Sequence, residues 1–168
     1  MKTIAATPPT EGLIRPSFRR AVATLQRVEP HAQSAQLLLL RLLYGGLLVQ
    51  TGWGKLMNLE RTAGFFEGLG LPAPAVMAVL VAGTELAGGI LLVLGAGARL
   101  AALALTTVML TALATAHPES LRSLTAFTEQ PPYPFLVATL IVLAFGAGGF
   151  SVDGWLRATR ESVATDRD

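Results

Sequence analysis

Four stretches of the chain stay apolar for longer than the core of a soluble domain requires, at about residues 37–56, 75–96, 100–116 and 134–150. The second is the purest: Ala75 to Ala96 carries one charge, Glu85, close to its centre. About twenty residues at ~1.5 Å of rise cross the ~30 Å hydrocarbon core of a bilayer, so each stretch is predicted as a membrane-spanning helix. The short turn Gly95 to Arg99 leaves no room except for antiparallel neighbours. The expected fold is therefore an all-α membrane protein, an antiparallel bundle of four transmembrane helices. Two longer loops join the first span to the second and the third to the fourth. Each predicts a short interfacial segment, with Phe65, Phe66 and Leu69 in one before Gly68, Gly70, Pro72 and Pro74 break it, and Leu121, Leu124 and Phe127 in the other.

At about 100° per residue, Arg41, Tyr44, Gly45, Leu48, Gly52 and Lys55 share one face of the first span. On the second, Glu85 shares a face with Ala78, Val81, Ala82, Gly88, Gly89 and Leu92. Small residues let helices approach closely in lipid, so both faces are expected to turn inward. Thr107, Thr111 and Thr115 recur every four residues on the third span. Threonines so spaced bond their own backbone or a neighbouring helix, and packing is the plainer reading than a ligand role.

Outside the spans the chain is polar. Residues 1–35 form a basic tail with no early apolar run, which predicts no cleaved signal peptide. Ser17 is placed to cap a short helix, with Phe18, Val22 and Leu25 on one face and Pro30 ending it; a disordered tail is the alternative. Residues 156–168 read as a polar, frayed tail. With four spans both ends fall on one side. That side holds Lys2, Arg15, Arg19, Arg20, Arg27, Arg99, Arg157, Arg160 and Arg167, against Lys55, Arg61 and Arg122 on the other. The excess predicts that both termini are cytoplasmic.

Composition narrows the chemistry. At 52% hydrophobic and 14% charged residues, with a mean hydropathy of +0.54, the chain is a polytopic membrane protein rather than a soluble one. It has no cysteine, which excludes a disulfide, a thiolate metal site, an iron–sulfur cluster and a dithiol step. His31 and His117 flank the apolar segments, an arrangement that argues against bis-histidine haem, and no metal site or intrinsic cofactor is expected. No nucleic-acid motif accompanies the basic residues.

An ionisable group in mid-membrane costs about 2.5–3.5 kcal/mol on insertion scales, so Glu85 must face protein or water and have a partner. Arg41 is the obvious cation, although at ~1.5 Å per residue it lies ~6 Å from the inner edge and Glu85 ~16 Å. The candidate ligand-binding residues are Arg41, Tyr44, Lys55 and Glu85, a polar track that suits a quinone headgroup, a proton or a small anion. Each has a plainer alternative: a structural clamp for Glu85 and Arg41, an interface anchor for Lys55, core packing for Tyr44. His117 reads as interfacial or capping. Asp153 reads as the cap of a short helix or the partner of Arg157, rather than a contact to a ligand.

Arg41–Gly46, Gly52–Leu56, Gly64–Pro72, Glu85–Gly89 and Gly148–Asp153, in that order, resemble the DoxX family of small four-helix membrane proteins across about residues 36–155. Many relatives have a histidine where this chain has Thr51. The resemblance implies membrane oxidoreductase systems, among them a subunit of thiosulfate:quinone oxidoreductase and a complex associated with oxidative-stress enzymes; other members have no assigned activity. It points to a multi-pass subunit of the bacterial inner membrane, with quinone as a borrowed cofactor and a membrane or soluble oxidoreductase as partner. Homo-oligomers remain open. Two other functions fit the residues: a non-catalytic anchor that holds a soluble enzyme through the basic tail, and a small proton-coupled carrier using Glu85. The lack of proline-interrupted helices or an inverted repeat tells against the carrier.

Overall fold

The computed structural model describes residues 16–118 and 122–165, with side-chain surroundings from residue 31 onward. Those residues form helices and no strand: α1 (Pro16–Met57), α2 (Leu59–Gly68), α3 (Pro74–Leu94), α4 (Ala98–Thr115), α5 (Leu124–Thr128), α6 (Tyr133–Phe145) and α7 (Val152–Thr165). Residues 1–33 and 34–168 are separate compact units, and the packing below is that of the second.

Three segments are long and apolar enough to cross a bilayer: His31–Met57, Pro74–Leu94 and Ala98–Thr115. The chain is thus an all-α membrane protein. The fourth apolar stretch differs from expectation. Its helix, α6, has thirteen residues and stops at Gly146, where φ of 78° leaves the helical region. Gly148 repeats that left-handed φ, so the expected end of the span at Phe150 is instead an irregular return.

Two tail expectations are also corrected. Pro30 does not end the first helix, because α1 continues through it. A proline inside a helix removes one backbone bond and disturbs one turn, and here helix-forming residues lie on both sides. Residues 156–165 are helical rather than frayed, because α7 is anchored at its start in the body of the fold. The face expected of Phe18, Val22 and Leu25, and the cap expected of Ser17, lie outside the described side chains. Leu121 lies outside the described residues. The two segments expected at the interface form helices, the ten-residue α2 and the five-residue α5, whose first turn is capped by the Ser123 hydroxyl accepting from the Ala126 amide at 3.1 Å.

Glycine sets the closeness of α1 and α3. A Cβ on Gly45 would stand 3.0 Å from the Gly89 carbonyl oxygen, and one on Gly52 would stand 2.9 Å from that of Ala82. Both lie inside normal contact, so only glycine allows this approach. The pairings also show that α1 and α3 run in opposite directions, since the later residue on one meets the earlier on the other. α4 packs against α3 and α6 around Leu92, Leu105, Met109, Leu136 and Val142. Within that apolar layer the Thr106 hydroxyl bonds to that of Thr139 at 2.9 Å, and Thr139 in turn donates to the Leu136 carbonyl at 3.0 Å. A buried hydroxyl without a partner would cost about 1–3 kcal/mol, so the two threonines satisfy each other across α4 and α6.

Leucines such as Leu39, Leu80, Leu100 and Leu103 point away from this core. On helices of membrane length they are the surface offered to acyl chains.

Candidate functional site

The two ends of the helix layer carry different polar chemistry. At the end where α3 finishes, Arg41 is wholly buried. Its Nη1 donates to the carbonyls of Leu92 at 3.2 Å and Val93 at 3.5 Å, and its Nη2 to that of Phe150 at 2.6 Å. The last carbonyls of a helix have no partners within it and carry the negative end of its dipole, so a guanidinium there meets acceptors rather than a carboxylate. Gly95, at φ of 66°, ends α3 in the left-handed conformation, and a Cβ on it would collide with the Arg41 guanidinium. Asp153 completes this end. Its Oδ1 and Oδ2 accept from the amides of Gly97 at 2.8 Å and Ala98 at 3.0 Å, capping α4 from a distant part of the chain. The cap anticipated for Asp153 thus exists, but on α4. The Arg157 Nε reaches the Asp153 main-chain oxygen rather than its carboxylate.

At the opposite end, Glu85 is buried on α3 and pairs with the Lys55 ammonium through its Oε1. Side-chain direction explains this choice of partner. Long side chains on a helix lean toward its amino terminus. In the antiparallel pair of α1 and α3, Lys55 and Glu85 therefore lean toward each other, whereas Arg41 leans away from Glu85 and onto the end of α3. The Glu85 side chain is 4% exposed and that of Lys55 33%, so the anion is enclosed and the cation reaches a wetter level. The second carboxylate oxygen, Oε2, is buried without a protein partner.

The pair forms the charged part of the floor of a cavity of about 700 Å³. Phe65, Phe66 and Leu69 of α2 make one wall, Met77 and Val81 of α3 another, and Val108 and Thr111 of α4 a third. Asn58, Arg61 and His117 add polar groups to the lining. The threonine stripe lies along α4. Thr107, Thr111 and Thr115 each donate to the carbonyl four residues earlier, at 3.0, 2.9 and 2.8 Å, and all three line the cavity instead of joining two helices. Their donors are used, and their methyl groups and lone pairs remain for whatever enters. Thr51 also lines it, with its hydroxyl given to the Leu48 carbonyl at 3.1 Å.

Of the four candidate residues, Lys55 and Glu85 meet on one cavity and Arg41 and Tyr44 do not reach it. Tyr44 is half-buried and packs edge to face on Phe135 at 5.7 Å between ring centroids. Sequence reading did not anticipate the part α2 plays as a wall. The signal was the pair of adjacent phenylalanines in a short amphipathic segment, which tells of an apolar face but not of what it covers.

Residues 36–118 match the DoxX family model, 83 of the 168 residues. The match includes every helix that contributes to the cavity and stops before α5, α6 and the Gly148–Asp153 piece. No curated protein and no solved structure matches the chain.

Removing one member of an enclosed ion pair leaves the other without compensation, at a cost of about 3–5 kcal/mol. Lys55 is partly exposed, so Lys55→Met is expected at the low end, about 3 kcal/mol. Denaturation of the purified protein should show that Lys55→Met combined with Glu85→Gln recovers most of that loss. A double variant no more stable than Lys55→Met alone would mean that the two charges do not answer each other.

Proposed function

We propose, from the match of residues 36–118 to the DoxX family model, that the chain is a DoxX-family protein and a bacterial inner-membrane subunit of a respiratory or redox-stress oxidoreductase system whose cavity holds a quinone-like ligand. The observation that carries this reading is the combination of an apolar cavity of about 700 Å³ with one charged pair at its floor. Small-molecule sites are typically clefts of about 300–1,000 Å³ with apolar walls and a few convergent polar groups. A quinone has a matching division, an isoprenoid tail and a ring bearing two carbonyls. Lys55 gives one N–H to Glu85 and an ammonium has three, so donors remain for a ring carbonyl. A carboxylate accepts only, and Glu85 suits the hydroxyl of the reduced ring. Arg41 and Tyr44 then serve the packing that holds α1 in place. Electrons pass between the quinone-like ligand and a membrane or soluble oxidoreductase partner, one gaining what the other gives up, and the chain has no cysteine to relay them.

Equilibrium binding of a short-chain benzoquinone to the protein in lipid nanodiscs tests this. Glu85→Gln and Lys55→Met should each weaken binding about tenfold or more, or about 1.4 kcal/mol, while Thr139→Val at the α4–α6 contact leaves it unchanged. Folded wild-type protein that binds no quinone, or variants that bind as well as wild type, would dismiss the reading.

The same proposal places α6 as a fourth, short span in an antiparallel bundle, with both termini in the cytoplasm. The nine-to-three division of basic residues supports that orientation. Because the native chain has no cysteine, single cysteines report sidedness cleanly. In intact cells stripped of their outer membrane, Thr62→Cys and Thr125→Cys should react with an impermeant maleimide, and Ala158→Cys only after lysis. The reverse pattern would invert the topology.

A further inference from the structure

The last helix carries a face that the rest of the protein does not use. On α7, at about 100° per residue, Val152, Trp155, Leu156, Thr159 and Val163 fall within an arc of about 100°. Trp155 is 67% exposed and Val163 51%, with Val152 and Leu156 also exposed. Arg157 lies about 150° from the middle of this arc, nearly opposite it, and Arg160 about 40° beyond its Leu156 edge. A fourteen-residue helix of this kind is about 21 Å long, and a soluble protein would not leave such a strip uncovered.

Where α7 starts says what covers it. The Asp153 carboxylate accepts from the Gly97 and Ala98 amides, and the Asp153 amide donates to the Gly95 carbonyl at 3.0 Å. α7 therefore begins level with the tight turn between α3 and α4. That turn joins two helices long enough to cross a membrane, so it marks the depth at which the chain leaves the hydrocarbon. Phe145 and Phe150, exposed at the end of α6 and in the return after it, continue the same apolar surface up to Val152. Tryptophan belongs at that depth, where an amphipathic ring sits among headgroups, and arginine on the outer flank reaches phosphates.

We propose that α7 lies along the membrane surface, with Val152, Trp155, Leu156 and Val163 sunk into the boundary between headgroups and acyl chains and with Arg157 and Arg160 turned to anionic headgroups. The occupant of the strip is the phospholipid bilayer itself. The Asp153 cap then acts as a rivet that fixes the height of α7 and, through the α3–α4 turn, ties the helices carrying Glu85 and Thr111 to the interface. This surface is independent of whether the cavity takes a quinone.

The test uses the full chain in nanodiscs containing phosphatidylglycerol, with single cysteines at Leu156→Cys and Arg157→Cys carrying an environment-sensitive fluorophore. The label at 156 should emit as if in an apolar medium and be quenched by lipids spin-labelled near the headgroup, at least threefold more than the label at 157. As a second readout, Leu156→Glu with Val163→Glu should raise the rate of trypsin cleavage at Arg157 and Arg160 about tenfold. Equal, water-like emission from both positions would overturn the proposal. So would a label at 156 that is shielded but not quenched by lipid, since a second copy or another protein would then be the cover. An unchanged cleavage rate in the folded double variant would count equally against it.

Discussion

A carboxylate inside a helix that faces lipid on its outer side has to find a cation, and the pairing of Glu85 with Lys55 is the contact on which the candidate site depends. An ion pair in this setting does not repay its desolvation well, so it is weak evidence for stability as such. Its value lies in position. It puts fixed charge of both signs on the floor of a cavity whose walls are mostly phenylalanine, leucine, methionine, valine and threonine methyl groups, with Asn58, Arg61 and His117 adding polar atoms. The glycine contacts between α1 and α3 are what make the pair possible. Gly52 against Ala82 brings the two backbones together one turn from Lys55 and Glu85, and a side chain at that crossing would push the charges apart.

The opposite end of the layer has a different task. Arg41 there is a second cation, yet it answers main-chain oxygens that the end of α3 leaves open and the Phe150 carbonyl of the return after α6. Asp153 does the complementary thing for the amides that begin α4. An arginine at a helix carboxyl end and an aspartate at the next amino end are the two placements the helix dipole favours. Together they hold the α3–α4 turn and the start of α7 as one polar plate. That end is closed by main-chain hydrogen bonds, and the cavity of about 700 Å³ lies toward the other, lined by Lys55, Glu85 and α2.

Much of this was legible in the residues. Unbroken apolar length predicts α3 and α4 closely, because nothing but a helix satisfies the backbone in lipid. The shared face of Gly45, Gly52 and Lys55 also predicts the inward side of α1. What escaped was of two kinds. Residue counting takes Arg41 as the obvious cation for Glu85, whereas Lys55 is the partner, and the choice turns on which way each side chain leans, which residue counting ignores. Gly146 and Gly148 fall inside the apolar stretch 134–150 that is expected to be one span, whereas their positive φ ends α6 early and returns the chain toward α4. The threonine stripe is expected to bond its own backbone or a neighbouring helix and to serve packing; it does the first, but its direction, into the cavity, depends on α2 lying across the layer. No local pattern in 59–68 states that.

Photolabelling with an azido-benzoquinone in native membranes, followed by mapping of the attached peptides, examines the central claim most directly. If Lys55 and Glu85 form the polar pole of a quinone-like site, the label will fall on α3 around Met77 and Val81 and on α4 around Thr111, and excess unlabelled quinone will remove it. Label that spreads along the outward leucines at 39, 80, 100 and 103, or that excess quinone does not displace, would show a molecule dissolved in lipid and no site.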